Sequence, residues 1–107
     1  ISSDDCQINW TKSVEYIHNQ IRAFSPKPGA YTYFQDRRLK LFKSEIVANS
    51  TLSTLDPGKI DYTNQCLLVG TGSEVIHIYE IQLEGKKRMP VSQFITGFPQ
   101  IQGDCFG

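Results

Sequence analysis

The fold is decided by residues 75–83, which read VIHIYEIQL. Successive side chains of a β-strand point to opposite sides, so this stretch divides into two faces. The faces comprise Val75, His77, Tyr79 and Ile81 on one side, and Ile76, Ile78, Glu80 and Gln82 on the other. Both are largely apolar at first and one becomes polar later, which is typical of a central strand covered on both sides. The pattern predicts a sheet built around this strand.

Further strands are predicted on the N-terminal side of this stretch. They cover residues 31–34, 39–47, 60–63 and 66–69. The polar interval of Gln35, Asp36 and Arg37 joins the first two into a hairpin. A polar loop is predicted at 48–56, and the Pro57-Gly58 dipeptide predicts a turn after it.

The segment 70–73 reads GTGS and invites comparison with a phosphate-binding loop. A dinucleotide-binding fingerprint needs a third glycine followed by a helix, whereas Val75 begins a strand. We therefore interpret the segment as a hairpin turn, in which glycine permits the positive φ that such turns require.

One amphipathic helix is predicted from Lys12 to about Phe24, with the Thr11 hydroxyl as its cap. Its apolar stripe comprises Val14, Ile17, Ile21 and Phe24. These residues recur at helical spacing, so one side of the helix is expected to pack against the sheet. A second, short helix is predicted at 91–96.

The chain of 107 residues has the length of one domain. Residues 1–9 are polar and are predicted to form an interdomain linker or tail, and residues 10–107 the domain itself. The fold class is mainly β. We expect a small OB-like β-barrel of five or six strands, closed or partly open, with one N-terminal α-helix and a short C-terminal helix.

Basic residues are clustered, although eleven Lys and Arg balance eleven Asp and Glu. The clusters comprise Arg37, Arg38, Lys40 and Lys43, and Lys86, Lys87 and Arg88. Clustered cations bind nucleic-acid phosphates by releasing condensed counterions, and the alternative is solvated surface charge. A fold that joined the two clusters would favour phosphate binding. Alternation predicts that Lys40 points outward while Leu39 and Leu41 face the core.

Several other classes of function find no support in the sequence. The longest aliphatic run, residues 67–69, is far shorter than the roughly 18 residues of a membrane-spanning helix, so no membrane partner is expected. Cys6, Cys66 and Cys105 lack close spacing, which favours free thiols over disulfides or a zinc site. No constellation of catalytic residues is recognisable, so we assign neither a catalytic residue nor a metal ligand.

An ordered set of short motifs resembles the C-terminal domain of the methionyl-tRNA formyltransferases. The landmarks are residues 8–10 (INW), Ile17, 21–30 (IRAFSPKPGA), 39–40 (LK), 57–58 (PG), Ile60, Val69, 71–72 (TG), Gln82, 84–89 (EGKKRM), Phe94, Gly97 and Gly103. They span almost the whole chain. Each motif alone is weak, and the resemblance rests on their order.

The resemblance implies an OB-like domain that follows a Rossmann-type catalytic domain. In that family the whole enzyme transfers a formyl group from 10-formyltetrahydrofolate to the methionine of initiator tRNA, in the bacterial cytoplasm or an organellar matrix. The C-terminal domain would bind tRNA and would itself carry no cofactor and no catalytic residue. Site residues implied by this role are Lys40, Lys86, Lys87 and Arg88, with Arg37, Arg38 and Lys43 from the same clusters.

Two alternatives remain open. Related C-terminal domains occur in 10-formyltetrahydrofolate hydrolases and dehydrogenases and in sugar formyltransferases, where the domain would be a structural wall beside a small-molecule site. A stand-alone protein-interaction barrel is the third possibility. The intact stretch 84–89 favours the tRNA enzyme.

Overall fold

The computed structural model describes residues 6–25, 29–47, 55–63, 66–101 and 103–106. Its helices are α1 (Val14–Phe24) and α2 (Val91–Gly97). Its strands are β1 (Ala30–Phe34), β2 (Arg37–Val47), β3 (Ile60–Thr63), β4 (Cys66–Gly70), β5 (Val75–Leu83) and β6 (Met89–Pro90). The prediction of a mainly β domain with an N-terminal and a short C-terminal helix is confirmed. Of the loop predicted at 48–56, residues 48–54 lie outside the described residues.

The strands form one antiparallel sheet in the order β1-β2-β5-β4-β3, and β6 pairs with β5. The long strands β2 and β5 are therefore central, as the apolar pattern of residues 75–83 predicts. β1 and β3 are the edges, and no ladder within the described residues joins them. The sheet is thus not closed, which corresponds to the partly open form of the expected architecture.

β1 and β2 are joined by a two-residue turn, Gln35-Asp36, with φ of 52° and 64°. Two successive residues with positive φ are typical of a type I′ turn, whose twist matches the right-handed twist of the strands. The turn is one residue shorter than predicted, because Arg37 pairs with Phe34 and belongs to β2.

Helix α1 packs on the sheet through Val14, Ile17 and Ile21, which are all completely buried. The predicted cap was wrong. Ser13 is the N-cap and its hydroxyl accepts the Tyr16 N–H, whereas the Thr11 N–H and hydroxyl both donate to the side chain of Asn9. The helix begins two residues later than predicted, since the Asn9 side chain competes for Thr11.

The glycine turn at 70–73 joins β4 to β5, as predicted, and it packs against the start of α1. The predicted reason for its glycines was wrong, because neither has a positive φ; both are required by the close approach of backbone carbonyls. The Gly72 N–H donates to the Lys12 carbonyl at 2.8 Å, and a Cβ at Gly72 would collide with the Thr11 carbonyl. The Ser73 hydroxyl accepts the N–H of Val14 at 2.9 Å. This turn therefore satisfies a free N–H of the first helical turn.

Aromatic residues from both ends of the chain complete the core. The Phe34 ring lies 6.0 Å from the rings of Phe94 and Phe106, and Trp10 stacks on Phe106 at 5.8 Å. The Trp10 indole N–H donates to the buried Thr32 hydroxyl at 3.0 Å. The C-terminal residues 103–106 thus belong to the domain, because Phe106 fills the space between Trp10 and β1.

Residues 6–9 also lie against the sheet. Cys6 and Ile8 are buried, and the Ile8 N–H donates to the Tyr31 carbonyl at 2.8 Å. The linker predicted over residues 1–9 stays a prediction for its first five residues, which lie outside the described part of the chain.

Candidate nucleic-acid interface

Two bulges lie side by side at the centre of the sheet. The ladder here pairs Leu41 with Ile81, Lys43 with Glu80, and Ser44 with Ile78. Phe42 of β2 and Tyr79 of β5 have no residue opposite them in this ladder. A bulge inserts one extra residue into a strand and changes the direction of the side chains that follow.

The strict alternation predicted for β5 was wrong beyond Tyr79, because of the bulge. Strict alternation places Ile81 on the side of His77 and Tyr79, but Ile81 is completely buried with Ile76 and Ile78. The physical reason is that Tyr79 is an extra residue, so the strand returns to the core one position late.

The two sides of the central strands have different compositions. We call the side that packs on α1 the inner face; it carries the buried side chains of Leu39, Leu41, Ile76, Ile78 and Ile81. The opposite side is the outer face; neighbouring positions on it are Tyr31, Lys40 and Gln82, and also Tyr33 and Arg38. The predicted outward position of Lys40 is confirmed, because Leu39 and Leu41 are completely buried.

Arg38 is held at one end of the outer face. Its guanidinium lies over the Tyr31 ring, with the central carbon 4.2 Å from the ring centroid. A hydrogen bond to Tyr33 raises the pKa of Arg38, so the exposed guanidinium is a permanent charge. Two hydrogen bonds join the Arg38 backbone to Glu84. The Arg38 N–H donates to the Glu84 carboxylate, and the Arg38 carbonyl accepts the Glu84 N–H at 2.9 Å.

Lys40 borders a shallow depression of about 270 Å³. Its lining comprises Arg38, Lys40, Gln82, Glu84 and Gly85. Lys40 of β2 pairs directly with Gln82 of β5, so the depression lies where the first basic segment meets the end of β5. One carboxylate, that of Glu84, therefore lines the depression together with the two cations.

Arg88 and Lys43 meet at Glu80 in the middle of the outer face. The Arg88 Nη2 and Nε atoms lie 2.6 and 2.8 Å from Glu80 Oε1, and the Lys43 Nζ lies 3.9 Å from Oε2. The Arg88 guanidinium also lies over the ring of the bulged Phe42, at 4.4 Å. The two cations are partly neutralised, and both remain exposed.

The remaining predicted residues lie at the margins. Lys86 and Lys87 are exposed in the turn between β5 and β6, which is held by Gln82 Nε2 donating to the Lys86 carbonyl at 2.9 Å. Arg37 is exposed at the hairpin end, and its pairing with Phe34 places it on the opposite face from Arg38. Four of the seven predicted cations, Arg38, Lys40, Lys43 and Arg88, therefore share the outer face, whereas Lys86 borders a depression against α2.

An aromatic pair extends the outer face beyond Lys43. The rings of His77 and Tyr79 contact each other at a tilt of 34°, with 4.0 Å between their centroids, and the Tyr79 hydroxyl donates to Glu45 at 3.0 Å. Burial lowers the pKa of His77, against the opposing effect of Glu45. Partial burial and the bond to Glu45 raise the pKa of Tyr79. Sequence reasoning did not identify Tyr79 as a candidate site residue, because alternation placed it on a largely apolar face with Val75 and Ile81.

The described residues also limit other chemistry. Among them, no three His, Cys, Asp or Glu side chains lie close enough together to bind a metal ion. Cys6 is buried, Cys66 half-buried and Cys105 exposed, and all three are free thiols. A helix with the length and hydropathy of a membrane span is absent from the described parts of the chain.

This fold and sequence define a class. Residues 1–99 match the family model described as "Formyl transferase, C-terminal domain", and the chain belongs to that family. Methionyl-tRNA formyltransferase of Syntrophomonas wolfei subsp. wolfei is 37% identical over 107 residues, and that of Geobacter sulfurreducens is 38% identical over 108. Each alignment covers 100% of this chain. The chain spans about a third of the length of these curated relatives, at 34% and 33%.

Solved structures share the fold at low sequence identity. A variant of HypX from Aquifex aeolicus superposes with a TM-score of 0.78 and 14% identity, over 94% of this chain and 19% of that one. HypX in complex with tetrahydrofolic acid gives a TM-score of 0.75 at 14% identity, over 92% and 18%. These likenesses support the architecture described above.

Proposed function

We propose that this chain is the tRNA-binding C-terminal domain of a methionyl-tRNA formyltransferase. The domain positions initiator tRNA for formylation by an N-terminal Rossmann-type catalytic domain. 10-Formyltetrahydrofolate would be the formyl donor of that parent enzyme, and this domain holds no cofactor. The bacterial relatives support a cytoplasmic location for the parent.

The observation that carries the proposal is the union of two basic segments by β2 and β5. The proposed phosphate contacts are Arg38, Lys40, Lys43 and Arg88 on the outer face and Lys86 and Lys87 in the adjoining turn; Arg37, on the opposite face, would reach a phosphate only past the hairpin end. Contacts to phosphates fix the position of a nucleic acid without reading its sequence. Discrimination of the initiator tRNA would therefore lie mainly outside this domain.

Kinetics of the full-length parent protein test this role. Replacing Lys86 and Lys87 together by Ala should raise KM for initiator tRNA and leave kcat for a minimal formyl acceptor nearly unchanged. Lys12→Ala is the matched control, because Lys12 is exposed beside α1 and away from the outer face. An unchanged KM for tRNA in the double variant would assign these lysines to surface solubility.

A second candidate is a structural domain beside a folate-dependent small-molecule site. It is favoured by Glu80, which neutralises Arg88 and Lys43 in part, and by the fold shared with HypX. This role predicts no dependence of tRNA affinity on the basic residues. The same kinetic experiment therefore separates the two candidates.

A further inference from the structure

The outer face presents an aromatic ring that the fold does not need. Among the described residues, the exposed large hydrophobic side chains are Tyr16, at 55% exposure, and Tyr79, at 39%. Tyr16 lies on the solvent side of α1, whereas Tyr79 lies at a bulge in the central strand of the sheet. Bulges are often found where a strand directs a side chain towards a ligand.

The surroundings of Tyr79 orient its ring. The His77 ring packs against it at a tilt of 34°, with 4.0 Å between the centroids, and Glu45 accepts a hydrogen bond from its hydroxyl at 3.0 Å. An aromatic ring held by a neighbour and a hydrogen bond loses little freedom when it stacks on a further flat group. Proteins bind unpaired bases by this kind of stacking, because every base offers a π-face.

Charge around the aromatic pair points to a nucleic acid. Tyr79 directly precedes Glu80 in β5, and the Glu80 carboxylate holds two exposed cations, Arg88 and Lys43. Glu45 is the acid nearest to the ring, and its carboxylate is engaged by the Tyr79 hydroxyl. Aromatic rings beside cations that follow a backbone are the arrangement by which proteins bind single-stranded nucleic acid.

We propose that Tyr79, backed by His77, stacks on an unpaired base of the RNA whose phosphates contact Lys43 and Arg88. This inference rests on the proposed function, since it names a base-binding position on the same face. It adds a preference for single-stranded RNA that the phosphate contacts alone do not provide. Stacking tolerates any base, so the position favours an unpaired nucleotide and not a particular sequence.

Binding of labelled initiator tRNA to this chain tests the inference, at about 50 mM salt where electrostatic binding is strong. Tyr79→Ala should weaken affinity about five- to 150-fold, the range for one lost base stack. Its slope of log affinity against log salt should stay that of the parent. Tyr79→Phe, which keeps the ring, should bind like the parent. Tyr16→Ala is the matched control and should have no effect.

A direct reading of stacking comes from single-stranded RNA that contains 2-aminopurine, whose fluorescence falls when the base stacks. The parent chain and Tyr79→Phe should quench this fluorescence at saturation, and Tyr79→Ala should not. A Tyr79→Ala chain that binds and quenches like Tyr16→Ala would overturn the stacking proposal. If Arg88→Ala still flattened the salt dependence in that case, the proposed function would stand without it. Absence of any RNA binding by the parent chain would overturn both.

Discussion

The inner and outer faces of β2 and β5 are formed by alternating residues of the same two strands, yet they differ in burial and in charge. The inner face consists mainly of completely buried aliphatic side chains under α1, whereas the outer face carries half-buried and exposed cations beside aromatic rings, of which Tyr31 and Phe42 are buried and Tyr79 is exposed. The inner face therefore accounts for the stability of the fold. Because exposed ion pairs contribute little to stability, the outer face is free to serve binding.

The largest expected effect lies on the inner side. Ile21→Ala should lower the free energy of unfolding by about 2–5 kcal/mol, because it leaves a cavity between α1 and the sheet. Chemical denaturation measures this loss. Tyr16→Ala on the exposed side of the same helix should change stability by less than about 0.5 kcal/mol. A loss of that small size for Ile21→Ala would mean that α1 does not pack as described.

The buried hydrogen bond between Trp10 and Thr32 gives the next effect. Thr32→Val keeps the shape of the side chain but leaves the indole N–H without its acceptor, at a cost of about 1–3 kcal/mol. Denaturation followed by Trp10 fluorescence measures it. Thr96→Val, at an exposed position in α2, is the control. Equal midpoints for the two variants would contradict a structural role for this bond.

A smaller effect is expected where the glycine turn meets α1. Ser73→Ala removes the oxygen that accepts the Val14 N–H, and loss of such a cap typically costs about 1 kcal/mol. Thermal or chemical unfolding would detect it, with the exposed Ser92→Ala as the comparison. A Ser73→Ala chain as stable as the parent would show that this hydrogen bond does not stabilise the start of α1.

The smallest expected effect is a pH dependence of the free energy of unfolding, to which one histidine on each side of the sheet contributes. The pKa of His18, on α1, is lowered by burial and by Arg22 against the opposing Glu45, and the pKa of His77 is lowered by burial. Below the ordinary pKa of 6.5 the unfolded chain therefore binds protons that the folded chain does not. Stability should be full above that pH and should fall as the pH falls through it. Denaturation of a His18→Gln, His77→Gln chain should show a weaker decline, and an equal decline would assign it to other groups.

The burial of most inner-face residues could be predicted from the sequence, whereas the arrangement of the outer face around the bulge could not. The stripe of Val14, Ile17 and Ile21 has helical spacing, and Leu39 and Leu41 alternate, so their burial follows from the pattern. The bulge at Tyr79 breaks the alternation, because an extra residue in a strand has no signature in the sequence. The role of Ser73 was also missed, since its contact with Val14 spans 59 positions.

The basic clusters could be recognised in the sequence, but their arrangement could not. Arg88 and Lys43 are brought to one carboxylate only by the register of β2 on β5. Arg37 and Arg38 are adjacent in the sequence and fall on opposite faces. Composition reports how many charges a segment has, and only the strand register reports which of them share a surface.

The most direct test of the outer face is the salt dependence of tRNA binding by this chain. An Arg38→Ala, Lys40→Ala, Arg88→Ala chain should flatten the plot of log affinity against log salt by about 2–3 units, at a little under one unit for each lost phosphate contact. A Lys12→Ala, Arg22→Ala, Lys59→Ala chain removes the same charge elsewhere and should keep the parent slope. Equal slopes in the two triple variants would contradict the assignment of the outer face to phosphate binding.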